Sequence, residues 1–245
     1  MDALKPYISK VADGGTLDRE EAAQAFFIII SGQTTPAQTG AFLMALRVPG
    51  ESLDEIFGAV LAMRKCGPLI RIKTQLILSA PAATGPVPTM SPQPAHLSYQ
   101  AQVSVWPSMA TGPFLQNPGQ ADALKTLGVN IDAEPECIAR CINEIGLGFM
   151  FAPTHHPAMR HIRPVRTELA TRTIFNILGP LSNPAGGRRQ LIGVFSPEWV
   201  IPIARTLQEL DSKSFWAVHG SGLDKLTTAV KPMSLRSGTA NCQPL

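Results

Sequence analysis

One stretch of this chain gathers side chains able to grip a small organic acid. Arg166 offers a planar guanidinium whose forked donors match a carboxylate, although Glu168 close by could take it up in a surface ion pair. His155 and His156 stand side by side just upstream. Adjacent histidines are more often structural or solvated than functional, and without a carboxylate at short spacing they do not read as metal ligands. Cys137 and Cys141 fall one helical turn apart and could share a face, yet a metal there would need further ligands nearby.

Four short helices are expected to frame the N-terminal part of the chain. The first runs from Leu4 to Val11. Asp18-Arg19-Glu20-Glu21 has the form of a capping box, opening a helix that carries Ala22, Phe26, Phe27 and Ile30 and stops near Gly32. Thr35 followed by Pro36 is an N-cap with proline in the first helical position, and this helix extends to about Arg47 with Phe42, Leu43 and Leu46 inward. Ser52 with Glu55 forms another capping box, and its helix buries Ile56, Phe57, Val60 and Leu61. Residues 1–64 thus read as a helical domain.

Residues 65–118 differ in kind. They hold nine of the 22 prolines, no Asp or Glu, and no charge after Lys73, so neither a strand nor a helix period persists. Coil is expected from about residue 66 to 118. A structureless stretch this long inside a compact chain is itself a warning.

Regular alternation returns over residues 119–229. Helices are expected over Ala121–Leu127, closed by Gly128, over Pro135–Ile145, closed by Gly146, over Pro164–Leu169 and over Pro197–Leu210. Strands are expected at Phe149–Phe151, Leu191–Phe195 and Phe215–Val218. Such alternation predicts an α/β sheet with helices on its faces. After Ala229 the pattern fades into a polar tail, residues 230–245.

Bulk properties exclude several classes. A net charge of +3 over 245 residues, with no dense basic patch interleaved with aromatics, argues against nucleic-acid binding. The apolar run Ala22–Ile30 is too short to span a bilayer. Met1-Asp2-Ala3-Leu4-Lys5 lacks the build of a signal peptide, which predicts a cytoplasmic protein with reduced thiols.

Two long segments resemble the anthranilate phosphoribosyltransferases of tryptophan biosynthesis: Phe149-Met150-Phe151-Ala152-Pro153-Thr154-His155-His156-Pro157-Ala158-Met159 and Arg172-Thr173-Ile174-Phe175-Asn176-Ile177-Leu178-Gly179-Pro180-Leu181-Ser182-Asn183-Pro184. The helical N-terminus and the turn Val218-His219-Gly220-Ser221-Gly222-Leu223-Asp224 fit the same family. The resemblance implies a small helical domain on a larger α/β domain with a central sheet, a fold shared with nucleoside phosphorylases, usually as a homodimer. It implies transfer of phosphoribosyl from phosphoribosyl diphosphate to the amine of anthranilate, with Mg2+ on the pyrophosphate. Arg166 takes the place of the anthranilate-binding arginine; His155, His156 and Pro180, the last read as part of a Gly179-Pro180-Leu181 turn, would border the acceptor pocket. Asp224 matches the first of two adjacent acidic metal ligands. Lys225 stands where the second would be, an ammonium that repels a hard cation. Ala170 replaces a glycine that usually follows the leucine after Arg166.

The family's diphosphate loop, Gly-Thr-Gly-Gly-Asp, and its Asn-x-Ser-Thr and Lys-His-Gly-Asn-Arg motifs are not written here, and no residue present reads as catalytic. Yet codons for Ser79–Gly85, regrouped one base earlier with only third bases chosen, spell Val-Gly-Thr-Gly-Gly-Asp-Gly. The same shift turns Thr89–Gln93 into Asn-Val-Ser-Thr, and Ser108–Gly112 into Lys-His-Gly-Asn-Arg. Residues 65–118 therefore read as a block in a displaced frame, and Lys231–Leu235 regroup similarly, so the fold is expected to be incomplete at its end. The competing readings are an inactive remnant unable to hold phosphoribosyl diphosphate, a pyrimidine nucleoside phosphorylase, and a helical interaction module.

Overall fold

A computed structural model describes residues 2–67, 77–79, 125–145, 148–150, 156–183, 186, 188–220, 233–236 and 243–244. Four helices open the chain: α1 (Lys5–Ala12), α2 (Arg19–Ile30), α3 (Pro36–Arg47) and α4 (Leu53–Cys66). Asp18 and Glu21, Thr35 and Gln38, and Ser52 and Glu55 each form a reciprocal capping box, satisfying backbone N–H groups at both ends of the first turn. The boxes fix where each helix begins, and the apolar residues that follow fix which face turns inward.

Helices α2 and α4 lie close together. A Cβ on Gly58 would sit 2.6 Å from the Arg19 carbonyl oxygen and 2.7 Å from the Ala22 Cβ, so only glycine permits this approach. Phe26 packs edge-on against Phe42 at 5.5 Å and against Phe175 at 5.7 Å between ring centroids. Phe175 belongs to the second half of the chain, so the helical unit and the α/β unit share one apolar core. Each such buried ring contributes roughly 1.5–3 kcal/mol.

The second half comprises β1 (Ile77–Ser79), α5 (Pro135–Ile145), a 3-10 turn (Pro157–His161), α6 (Arg163–Leu169), α7 (Phe175–Leu181), β2 (Arg189–Gly193), a 3-10 turn (Pro197–Trp199), α8 (Val200–Glu209), β3 (Ser214–His219), β4 (Met233–Arg236) and β5 (Gln243–Pro244). Among the described residues five strands form one sheet in the order β1-β2-β3-β4-β5. β1, β2 and β3 run parallel, with Ser79 opposite Ile192 and Gly193 opposite Val218; β4 and β5 add in antiparallel sense. The α/β expectation holds, and α5 spans the residues read for it.

Several local expectations are corrected. Ile77–Ser79 pairs with β2, so the stretch expected to be coil contains a strand, made by main-chain pairing with a neighbour and too short to show a period of its own. The rest of 68–118 lies outside the described residues. Phe149 and Met150 are not in a strand; Met150 instead packs with Ile138 and Ile142 of α5. β2 begins at Arg189, ahead of the expected Leu191, because backbone pairing with Ser214 carries the strand past its apolar residues. The tail expected to lose pattern after Ala229 supplies β4 and β5, because an unpaired sheet edge beside β3 can accept a strand whatever its side-chain period. Lys125–Thr126 are helical and Gly128 follows at φ +85°, as expected for the closure of that helix; residues 121–124 and Gly146 lie outside the described residues.

Candidate functional site

Arg166 lies in the last turn of α6 and is 1% exposed, which removes the surface ion pair with exposed Glu168 from consideration. Its Nη2 donates to Oδ1 of Asn176 at 3.3 Å, and its guanidinium carbon lies 5.9 Å from the centre of the Phe175 ring. Burial pushes its pKa down to about 10, so it remains a cation at neutral pH. A charge kept this far from water is expensive to maintain.

The strands and helices around it are held by their own polar logic. The Thr173 N–H also donates to Asn176 Oδ1, at 3.0 Å, while the Asn176 N–H donates to the Thr173 carbonyl at 2.9 Å. This closed loop starts α7. Pro180 is buried on the same helix one turn beyond Asn176, so the two share a face. The expected turn at Gly179-Pro180-Leu181 is therefore helical. Proline is tolerated there because it stands at the penultimate position of a short helix, where only one main-chain bond is forfeited.

His156 precedes the first 3-10 turn and is buried, at 4% exposure. Its ring faces the end of α4: a Cβ on Gly67 would lie 3.6 Å from its Nδ1. The 3-10 turn itself rests on Gly32, at φ +72°, where a Cβ would come 2.8 Å from the His161 Nδ1. The helical unit thus forms one wall behind the histidine. His155 lies outside the described residues, as does Asp224. The chain leaves β3 through His219, whose Nδ1 lies 2.9 Å from the Val194 carbonyl oxygen, so Gly220 emerges at the carboxyl end of the parallel strands. Carboxyl ends of parallel strands are where α/β sheets take ligands.

The structure therefore brings Arg166 and Pro180 to one helix pair, seats His156 against α4, and adds Asn176, which the sequence reading passed over. A polar residue inside the otherwise apolar Ile174–Leu178 run was the available signal, since a buried amide is more informative than a buried leucine. Among the described residues no group of three or more His, Cys, Asp or Glu could hold a metal ion. Cys66, Cys137 and Cys141 are free thiols.

A helical bundle sharing a core with an α/β sheet is the two-domain build of one glycosyl transferase family. Residues 5–67 match the glycosyl transferase family helical bundle domain, and residues 115–239 match the glycosyl transferase family a/b domain. Among curated proteins, the chain is 51% identical to anthranilate phosphoribosyltransferase of Agrobacterium fabrum, over 93% of this chain and 67% of that one. It is 48% identical to the Sinorhizobium medicae enzyme of the same name, over 98% and 72%. The crystal structure of anthranilate phosphoribosyltransferase from Thermus thermophilus superposes with a TM-score of 0.85 at 35% identity, covering 97% of this chain and 71% of that one. The Saccharomyces cerevisiae enzyme in complex with PRPP and Mg has the same fold, with a TM-score of 0.81 at 21% identity over 94% and 69%. The chain belongs to the anthranilate phosphoribosyltransferase family.

Proposed function

We propose that the chain transfers a phosphoribosyl group from phosphoribosyl diphosphate to anthranilate. The anthranilate nitrogen forms a bond to the anomeric carbon, the bond from that carbon to pyrophosphate breaks, and the amine gives up a proton. Arg166 carries the reading: a nearly fully buried cation on α6, held from α7, is suited to orient an aromatic carboxylate. His156 and Pro180 shape the acceptor pocket around it, and His155 and Asp224 join them from the adjoining segments.

Residues 65–118 are the block in a displaced frame. The two family domains match on either side of residues 68–114, and β1 ends at Ser79, where the regrouped codons would begin the Gly-rich loop. Glycines there would let main-chain N–H groups close on phosphate oxygens. The domains are then 1–64, helical, and 119–229, α/β, with 230–245 a second displaced tail. Magnesium would serve the diphosphate in this family reading, but Asp224 with Lys225 beside it is a poor donor pair for a hard cation. The same reading makes it a cytoplasmic homodimer. No helix among the described residues is long and apolar enough to cross a membrane.

The test compares two proteins, the chain as it stands and one with residues 65–118 re-encoded in the shifted frame. Anthranilate binding by both, with phosphoribosyl diphosphate binding and turnover gained on re-encoding, is expected. Turnover by neither would leave the inactive remnant as the reading.

A further inference from the structure

We propose that Arg47 and Arg64 are positioning residues of the acceptor site: from α3 and α4 they hold the two ends of the α7 segment, and α7 in turn places the Arg166 guanidinium. The inference rests on reading Arg166 as the acceptor arginine.

α7 has little means of holding its own place. It is seven residues long, Phe175–Leu181, it contains Gly179 and Pro180, and its N-cap residue Ile174 makes no side-chain cap. Helices this short are marginal even in favourable sequences, and glycine and proline are the poorest helix formers. Its position must come from what grips it.

Much of that grip belongs to the helical unit. Arg47, the last residue of α3, donates through Nη1 to the carbonyl oxygen of Arg172, just ahead of α7. Arg64, in the last turn of α4, donates through Nε and Nη2 to the Leu181 carbonyl oxygen at 3.1 and 2.8 Å. Carbonyls in a last turn have no partner within their own helix, so a side chain from outside can take them. Between the two grips the Phe175 ring rests edge-on against Phe26 of α2.

The segment so held carries Asn176. Its Oδ1 accepts from the Thr173 N–H at 3.0 Å, which fixes the side chain, and from Arg166 Nη2 at 3.3 Å. A shift of α7 therefore moves an oxygen to which Arg166 is bonded. Both bundle arginines grip main-chain oxygens with a charged donor, a stronger contact than a neutral pair gives. They act on the acceptor arginine through α7, with Asn176 as the last link.

Anthranilate is titrated into the full chain and its variants, followed by ligand fluorescence, with urea midpoints measured alongside so that only folded proteins are compared. Arg47→Ala, Arg64→Ala and Asn176→Ala are each expected to weaken binding about fivefold. The deciding readout is Arg64→Ala combined with Asn176→Ala. With the link already cut, the double variant should bind as Asn176→Ala does, whereas a merely structural role would multiply the two losses. Arg47→Lys and Arg64→Lys serve if the alanine variants do not fold, with smaller losses and the same failure to multiply. Losses that multiply overturn the inference. So does parental affinity in any folded alanine variant while Arg166→Gln abolishes binding, and both results leave the acceptor arginine standing. If Arg166→Gln binds anthranilate as the parent does, or the unaltered chain binds none, the reading of Arg166 fails and the inference with it.

Discussion

Arg64, in the last turn of α4, donates through Nε and Nη2 to the carbonyl oxygen of Leu181, the closing residue of α7, at 3.1 and 2.8 Å. One guanidinium thereby serves the carboxyl end of α7 while standing at the carboxyl end of its own helix, where the peptide dipoles favour a cation twice over. It staples the helical unit to the segment that carries Asn176 and Pro180. Burial lowers its pKa. Arg64→Ala is expected to cost about 2 kcal/mol. Arg64→Lys should recover less than half of that, because an ammonium cannot reproduce the fork. Urea midpoints for the three proteins check this; an alanine variant as stable as the parent would refute the staple.

Ala170 closes α6 in the left-handed conformation, at φ 47° and ψ 29°, with its N–H donating to the Arg166 carbonyl at 3.2 Å. The Cβ of alanine is crowded there, and glycine is not. Ala170→Gly is expected to raise stability by about 1 kcal/mol. A thermal midpoint equal to or below the parent's would show that the cap carries no strain.

Gly58 faces the backbone of α2, with the Ala23 nitrogen 2.8 Å from a would-be Cβ besides the Arg19 and Ala22 atoms. Main chain cannot rotate aside as a side chain does. Gly58→Ala should therefore force α2 and α4 apart and lower stability by about 2 kcal/mol, despite its better helix propensity. Calorimetry decides between the two effects: a gain in stability would mean that propensity wins.

Glu51 is partly buried beside Ser52, and burial raises its pKa above the ordinary 4.5, with the nearby Glu55 charge acting the same way. A carboxyl whose folded pKa exceeds its unfolded value binds its proton more tightly when folded. Its contribution to stability is therefore full in acid and is lost as pH rises from the unfolded value through the raised one. Glu51→Gln should be more stable than the parent at pH 7 and show no such advantage at low pH. Denaturation curves at both ends of the range test the sign; an advantage confined to acid would reverse it.

Much of the helical half was legible because its signals are local. Asp18 with Glu21 and Ser52 with Glu55 announce helix starts within four residues, and the structure forms both boxes. The partner of Thr35, Gln38, was not read as one although it closes the same motif. The sheet was harder. Ile77–Ser79 is a strand because β2 lies beside it, and β4 and β5 are strands because β3 and β4 do; nothing within those segments declares it. Arg166 stands out by resemblance, but its burial and its hydrogen bond to Asn176 arise where α6 and α7 meet, a contact that no period along the chain encodes.

The pairing of Ile77 with Gln190 also sets an order of assembly. Helices α2 and α4 meet with only α3 between them in the chain, and β2 reaches β3 by way of one helix, so both units close small loops. β1 can join only after a loop on the order of a hundred residues has been gathered, and the entropy of closing it must be met before any contact repays it. Lying at the margin of the sheet, it can dock onto a platform already built. The strand that leads into the proposed phosphate loop is thus the latecomer of folding, and the helical bundle forms without it.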